Sequence, residues 1–179
     1  MKVRPLILTG PPGVGKTTVA AFLAGREQRS VHVEADRFFA FISSGFVEPW
    51  DPASAEQNEL TMRIAASAAA SYAEAGYMTI FEGIVIPRWT LGVVRDAFEA
   101  AGVPASYAVL RAPHSECAGR VHGREGNPDL FEPSVLAAIS SEFDDLGPFE
   151  RHAIDVAGMD AEQAATAVST RLADGSLDL

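Results

Sequence analysis

Apolar residues along this chain fall into two alternating rhythms. Short runs carrying β-branched or aromatic residues, with Gly, Pro or charged residues nearby, read as strands at Val3–Thr9, Ser30–Glu34, Tyr77–Glu82, Ala105–Leu110 and Ala153–Ala157. Between them lie segments that read as helices at Lys16–Gly25, Ala53–Ala75, Thr90–Ala101, Pro113–His122, Pro133–Phe143 and Asp160–Ala173. Gly102 follows the third of these helices, where a residue of left-handed conformation ends many helices. Pro113 falls in the first turn of the next, where a missing N–H costs nothing. This β-α alternation predicts an α/β fold, a parallel sheet of five strands covered by helices on both faces. Strand order is not written in such a pattern.

No repeat or low-complexity linker interrupts the chain, and its 179 residues suit one domain spanning 1–179. Hydrophobic residues make up 47% and charged residues 21%, an ordinary globular balance. No apolar run is long enough to cross a bilayer, and Leu6-Ile7-Leu8 is too short for a signal-peptide core, so no membrane association is expected. The lone cysteine, Cys117, suits a reducing compartment, and a cytoplasmic location is expected. The formal net charge of −10 and the lack of a basic run disfavour a nucleic-acid partner in electrostatic terms. His32, His114, His122 and His152 show no paired spacing for zinc, so no structural metal is expected. Nothing in the pattern speaks to oligomeric state.

Chemistry enters at Gly10-Pro11-Pro12-Gly13-Val14-Gly15-Lys16-Thr17-Thr18, which fits G-x-x-x-x-G-K-[ST] between an apolar strand and an amphipathic helix. Glycines allow a tight turn whose backbone N–H groups point at phosphate oxygens, and the helix that follows adds its positive end. In such a loop Lys16 reaches the β- and γ-phosphates and the Thr17 hydroxyl ligates Mg²⁺, so ATP and Mg²⁺ are the expected cofactors.

Asp36 follows the second strand and is expected at the carboxyl rim of the sheet, where ligands of open parallel sheets bind. It would accept or orient the proton of an attacking hydroxyl, or else serve as the N-cap of a helix starting near Arg37. Glu34 is the reserve candidate. Arg120 and Arg124 share a face if the helix continues that far, and both could bind phosphate oxygens, although Glu116 is also placed to pair with Arg120. Phe38, Phe39, Phe41, Phe46 and Trp50, with Glu48 and Asp51 nearby, and Arg88-Trp89 after the third strand, should approach the same rim. They would line an acceptor pocket or pack a small helical subdomain.

The phosphate loop, the stretch from Ser30 to Phe39, the strand end Thr79-Ile80-Phe81-Glu82-Gly83 and the segment Arg120–Asn127 together resemble small kinases of the nucleoside-monophosphate-kinase type. The likeness is greatest to the chloramphenicol-phosphotransferase-like kinases and extends to gluconate and shikimate kinases. It implies a P-loop three-layer sandwich with a small lid at about residues 120–132. It further implies that Glu82 acts near Mg²⁺ or at the substrate, that Asp36 faces the acceptor, and that the lid arginines close over the transferred group. The expected function is transfer of the γ-phosphate of Mg-ATP to a hydroxyl of a small molecule, with Trp50, Glu82, Arg88 and Trp89 as acceptor contacts. A polynucleotide 5′-hydroxyl kinase and a non-enzymatic nucleotide switch are the alternatives.

Overall fold

A computed structural model describes residues 4–122 and 132–179. Leu6–Thr9 (β1), Ser30–Glu34 (β2), Met78–Glu82 (β3), Ser106–Arg111 (β4) and Ala153–Asp155 (β5) pair in the order β2-β3-β1-β4-β5, all parallel. The helices are α1 (Lys16–Gly25), α2 (Asp36–Phe39), α3 (Ala55–Glu74), α4 (Leu91–Ala100), α5 (His114–His122), α6 (Pro133–Ser141) and α7 (Ala161–Ala173).

The order makes β1 the central strand, and all its residues are buried. Alternation along the strands then divides the core into two layers. Leu6, Leu8, Ile80 and Leu110 pack with Val19, Ala20 and Leu23 of α1 and Ala164, Ala165 and Val168 of α7. Ile7, Phe81, Tyr107 and Val109 pack on the opposite face with Ala65, Ala66 and Ala69 of α3 and Val94 and Phe98 of α4. The alanines of α3 explain its long, weakly hydrophobic appearance: small side chains let the helix lie close to the sheet. The expected five-stranded parallel sheet with helices on both faces is the fold observed.

The ends of elements shift for local reasons. The first strand begins at Leu6, because Pro5 has no N–H for a ladder, while its carbonyl accepts from Ser106 N at 2.8 Å. The long helix begins at Ala55, preceded by a 3-10 turn at Pro52–Ser54 whose first turn is capped by Asp51, with Ala53 N donating to Oδ1 at 2.8 Å. The last helix opens with a capping box in which Asp160 and Gln163 satisfy each other's backbone N–H groups.

Register places chemistry at the rim. His32 pairs opposite Ile80 and Glu34 opposite Glu82, so His32, Glu34, Ile80 and Glu82 share the sheet face that α1 covers. Among the described residues no helix is long and apolar enough to cross a membrane. Another histidine, His152, is fully buried and structural. Its Nδ1–H donates to Tyr107 O at 3.0 Å and its Nε2 accepts from Arg151 Nε at 3.1 Å, which fixes the neutral tautomer. Burial, seconded by Arg151 and Arg171, pushes its pKa below the ordinary histidine value.

Candidate phosphate-binding and transfer site

The loop after β1 is shaped by what surrounds its glycines. Gly10, Gly13 and Gly15 have φ of 145°, 80° and 103°, a region L side chains avoid. At two of them there is also no room. A Cβ on Gly10 would lie 2.3 Å from Leu110 O, and one on Gly13 would lie 2.2 Å from Cys117 O. The first contact binds the loop to β4 and the second sets it against α5. A Cβ on Gly15, by contrast, would meet no protein atom within 4 Å. This last glycine is the N-cap of α1, and no side chain caps the helix, so no cap takes up its first amides and open space lies beside them. An uncapped helix start inside a Cβ-free cradle fits a phosphate chain. Val14, Pro11 and Pro12 are placed by the same turn, with Val14 N donating to Pro11 O at 3.3 Å.

Lys16 is 8% exposed, and its Nζ donates to Gly10 O at 2.9 Å and Pro11 O at 3.1 Å, so the ammonium is held inside its own loop. At the next residue, Thr17 Oγ1 donates to Glu82 Oε1 at 3.3 Å. A hydroxyl that gives its proton to a carboxylate keeps its lone pairs for a cation, so this pair suits a Mg²⁺ ion held by Thr17. Among the described residues no cluster of three or more His, Cys, Asp or Glu forms a self-sufficient metal cage. The donor set therefore fits a cation shared with phosphate and water, as Mg²⁺ favours.

Glu82 is not a solvated strand end. It is 6% exposed, and its second oxygen, Oε2, lies 3.1 Å from His32 Nε2. His32 was not a candidate in the sequence. The signal that could have found it is parallel pairing of β2 with β3, which strand order alone reveals.

Asp36 is the first residue of α2, but the N-cap of that helix is Ala35 and no side chain caps it. The carboxylate is thus not spent on capping. Ala35 N donates to Glu82 O at 2.8 Å, and Gly83 lets the two chains approach: a Cβ there would lie 2.9 Å from the Ala35 Cβ. Asp36 is held by this backbone contact near the other charged groups of the rim. Crowding by protein atoms raises its pKa, Lys16 opposes the rise, and Glu82 and Glu34 add to it. Water reaches this residue, which is exposed by surface area, and screens part of the effect. Glu34, the reserve candidate, is engaged by Arg37 at 2.7 Å.

Arg120 projects from α5 onto the loop, with Nη1 donating to Val14 O at 3.3 Å and Nη2 paired with Glu116. The pairing with the acid one turn earlier is present, and the contact with the Val14 carbonyl was not anticipated from the sequence. Arg124 and most of the expected lid at 120–132 lie outside the described residues.

The remaining candidates lie in α2 and in the segments between α2 and α3 and between β3 and α4. Trp50 is 41% and Trp89 60% exposed, the first in the 40–54 segment and the second just before α4. The 40–54 segment is fastened to the start of α3 by the paired bonds between Val47 and Gln57 and by Asn58 Nδ2 donating to Pro49 O at 2.7 Å. Arg88 is tied to Glu142 at 2.7 Å, in a groove that Leu146 and Phe149 also line. Phe38 packs partly against the core and edge-on against Phe41, whereas Phe41 is 77% exposed.

A central strand that delivers a glycine loop, its lysine and its threonine to the carboxyl rim of a parallel sheet defines a P-loop protein of the kinase-like kind. The chain belongs to the AAA domain family, whose model matches residues 6–146. No curated protein matches it in sequence. Among solved structures it is similar to a sugar kinase from Janibacter sp. HTCC2649, with 24% identity, a TM-score of 0.69, and 96% of this chain and 95% of that one covered. The tunicamycin resistance protein of Deinococcus radiodurans aligns with 20% identity, a TM-score of 0.68, and 94% and 95% coverage. The APS kinase of Mycobacterium tuberculosis, solved with AMPPNP and APS, aligns with 14% identity, a TM-score of 0.67, and 97% and 99% coverage. These likenesses concern the fold.

Proposed function

We propose that the protein is an ATP-dependent phosphotransferase that moves the γ-phosphate of Mg-ATP to a hydroxyl of a small molecule. The observation that carries this reading is Asp36, a rim carboxylate free of capping duty and held within electrostatic reach of Lys16. A switch that only binds nucleotide has no use for such a group. Kinase neighbours whose names specify a sugar and APS support a small-molecule acceptor over a polymer, and the net charge of −10 points the same way.

Bound Mg-ATP supplies the transferable phosphoryl group and the cation that offsets its charge. The loop amides and Lys16 hold the phosphate oxygens, and Thr17, braced by Glu82, holds the cation. Asp36 takes or orients the proton of the acceptor hydroxyl, and crowding moves its pKa toward the range where a base is effective. Arg120 steadies the loop through the Val14 carbonyl and, with Arg124, supplies positive charge near the transferred group. Trp50, Arg88 and Trp89 contribute to acceptor recognition. Catalysis then rests on positioning and charge stabilisation, because phosphoryl transfer asks little covalent chemistry of the protein.

The test is ADP release from Mg-ATP across a panel of hydroxylated small molecules, with Lys16→Ala and Asp36→Asn alongside. Stimulation by one compound that both variants lose is the expected result. A slow release that no compound stimulates, removed by Lys16→Ala and untouched by Asp36→Asn, would instead make the protein a nucleotide switch.

A further inference from the structure

Glu82 has two oxygens and two partners. Thr17 Oγ1 donates to one, and His32 Nε2 lies 3.1 Å from the other. A carboxylate only accepts hydrogen bonds, so the second contact requires that the imidazole carry its hydrogen on Nε2. The side chains are 17% and 7% exposed, which limits competition from water. His32 sits on β2, an edge strand, and reaches Glu82 across the β2–β3 pair from the same sheet face.

We propose that His32 is a positioning residue of the cation site. Its Nε2–H holds Glu82 Oε2, which leaves Oε1 on the Thr17 hydroxyl and keeps the Thr17 lone pairs turned toward the place where a nucleotide-bound divalent ion sits. This inference rests on the Mg-nucleotide reading given above. Without the imidazole the carboxylate has a free torsion and one anchor, and the Thr17 hydroxyl loses its fixed acceptor. Outer partners of this kind alter metal affinity by about 10- to 100-fold when removed. The chain from His32 to Glu82 ends on the Thr17 hydroxyl, the group assigned to the cation, and not on the loop amides or Lys16, so its effect belongs to the cation and not to the bare phosphates.

The experiment uses the full chain saturated with ADP and titrated with Mn²⁺, free ion being read from its EPR signal. ADP affinity in EDTA, measured by calorimetry, is the control for an intact loop. His32→Leu keeps the bulk and strand preference but removes the donor, while His32→Gln restores an N–H at similar reach. The expected result is a rise of about 10-fold in the Mn²⁺ dissociation constant for His32→Leu. His32→Gln should recover most of it, and both variants should bind ADP in EDTA as the parent does. Unchanged Mn²⁺ affinity in His32→Leu overturns the proposal, as does a His32→Gln variant no better than His32→Leu. Loss of ADP binding in EDTA by both variants would assign His32 to the fold and also overturn it. If the parent chain itself binds Mn²⁺ no better with ADP than without, the Mg-nucleotide reading has failed, and that is visible before any variant is made.

Discussion

The two sides of the rim are built by opposite means. The phosphate side is backbone: glycines without room for a Cβ, an uncapped helix start, and a lysine folded onto the carbonyls of its own loop. The proposed acceptor side is side chain: Asp36 at the tip of a four-residue helix, exposed Trp50 and Trp89, and Arg88 already tied to Glu142. A backbone cradle recognises a group common to every nucleotide and so needs one fixed sequence. Side-chain recognition depends on which acceptor is bound and can be met by many sequences. The difference predicts that damage to the two sides will separate in kinetics.

The largest effect falls on the shared group. Lys16→Ala should abolish measurable turnover, a loss of at least about 10²-fold, and weaken ADP binding by calorimetry as well. Asp36→Asn should lower turnover by about 10²-fold with ADP affinity unchanged. If the Asn variant instead binds ADP poorly, the two sides are not independent and the contrast collapses. The same substitution has a second signature. Because the folded pKa of Asp36 is raised, the native state binds more protons than the unfolded chain just above the ordinary value near 3.8. Stability contributed by this group therefore falls as pH rises through that window, and at neutral pH the charged form is a burden. Asp36→Asn should accordingly raise the melting temperature at pH 7 while it removes activity; a lower one would show that the carboxylate is structurally required.

Gly83→Ala sharpens the contrast further, since it forces Ala35 and with it Asp36 away from Glu82. We expect destabilisation of about 1–3 kcal/mol in urea unfolding, together with reduced turnover and near-normal ADP binding. The smallest effect lies away from both sides. His152 is buried neutral with a depressed pKa, so the unfolded chain binds protons more readily as pH falls below about 6.5. Its stability contribution is complete above that pH and is lost on acidification toward the folded pKa. His152→Gln should flatten that part of the stability profile, whatever it does to the plateau; an unchanged slope would mean that other groups carry it.

The same contrast explains what could be read in the sequence. The phosphate loop was legible because backbone geometry imposes glycine at fixed spacings, and the sheet was legible because its strands are short apolar runs between helical segments. Element ends moved by one to three residues where Pro5, Asp51 and Asp160 impose local chemistry. Asp36 could be located at a strand end but not freed from a capping role, since that depends on which residue closes the helix. His32 was invisible because its importance comes from the strand beside it, and strand adjacency leaves no local mark. Arg88 could be placed after the third strand, but its partner Glu142 lies far along the chain.

The register of β2 against β3 has a consequence for quality control. A slip by one residue would carry His32 to the α3 side of the sheet and replace it with a valine from either neighbour, Val31 or Val33. It would also break the alignment of Ala35 with Glu82 that sets Asp36 in place. A mispaired molecule would thus still carry an intact phosphate loop and still retain nucleotide, yet be silent toward an acceptor. Retention on a nucleotide resin would count both populations, and the fraction competent in a single turnover would count only the correctly threaded one.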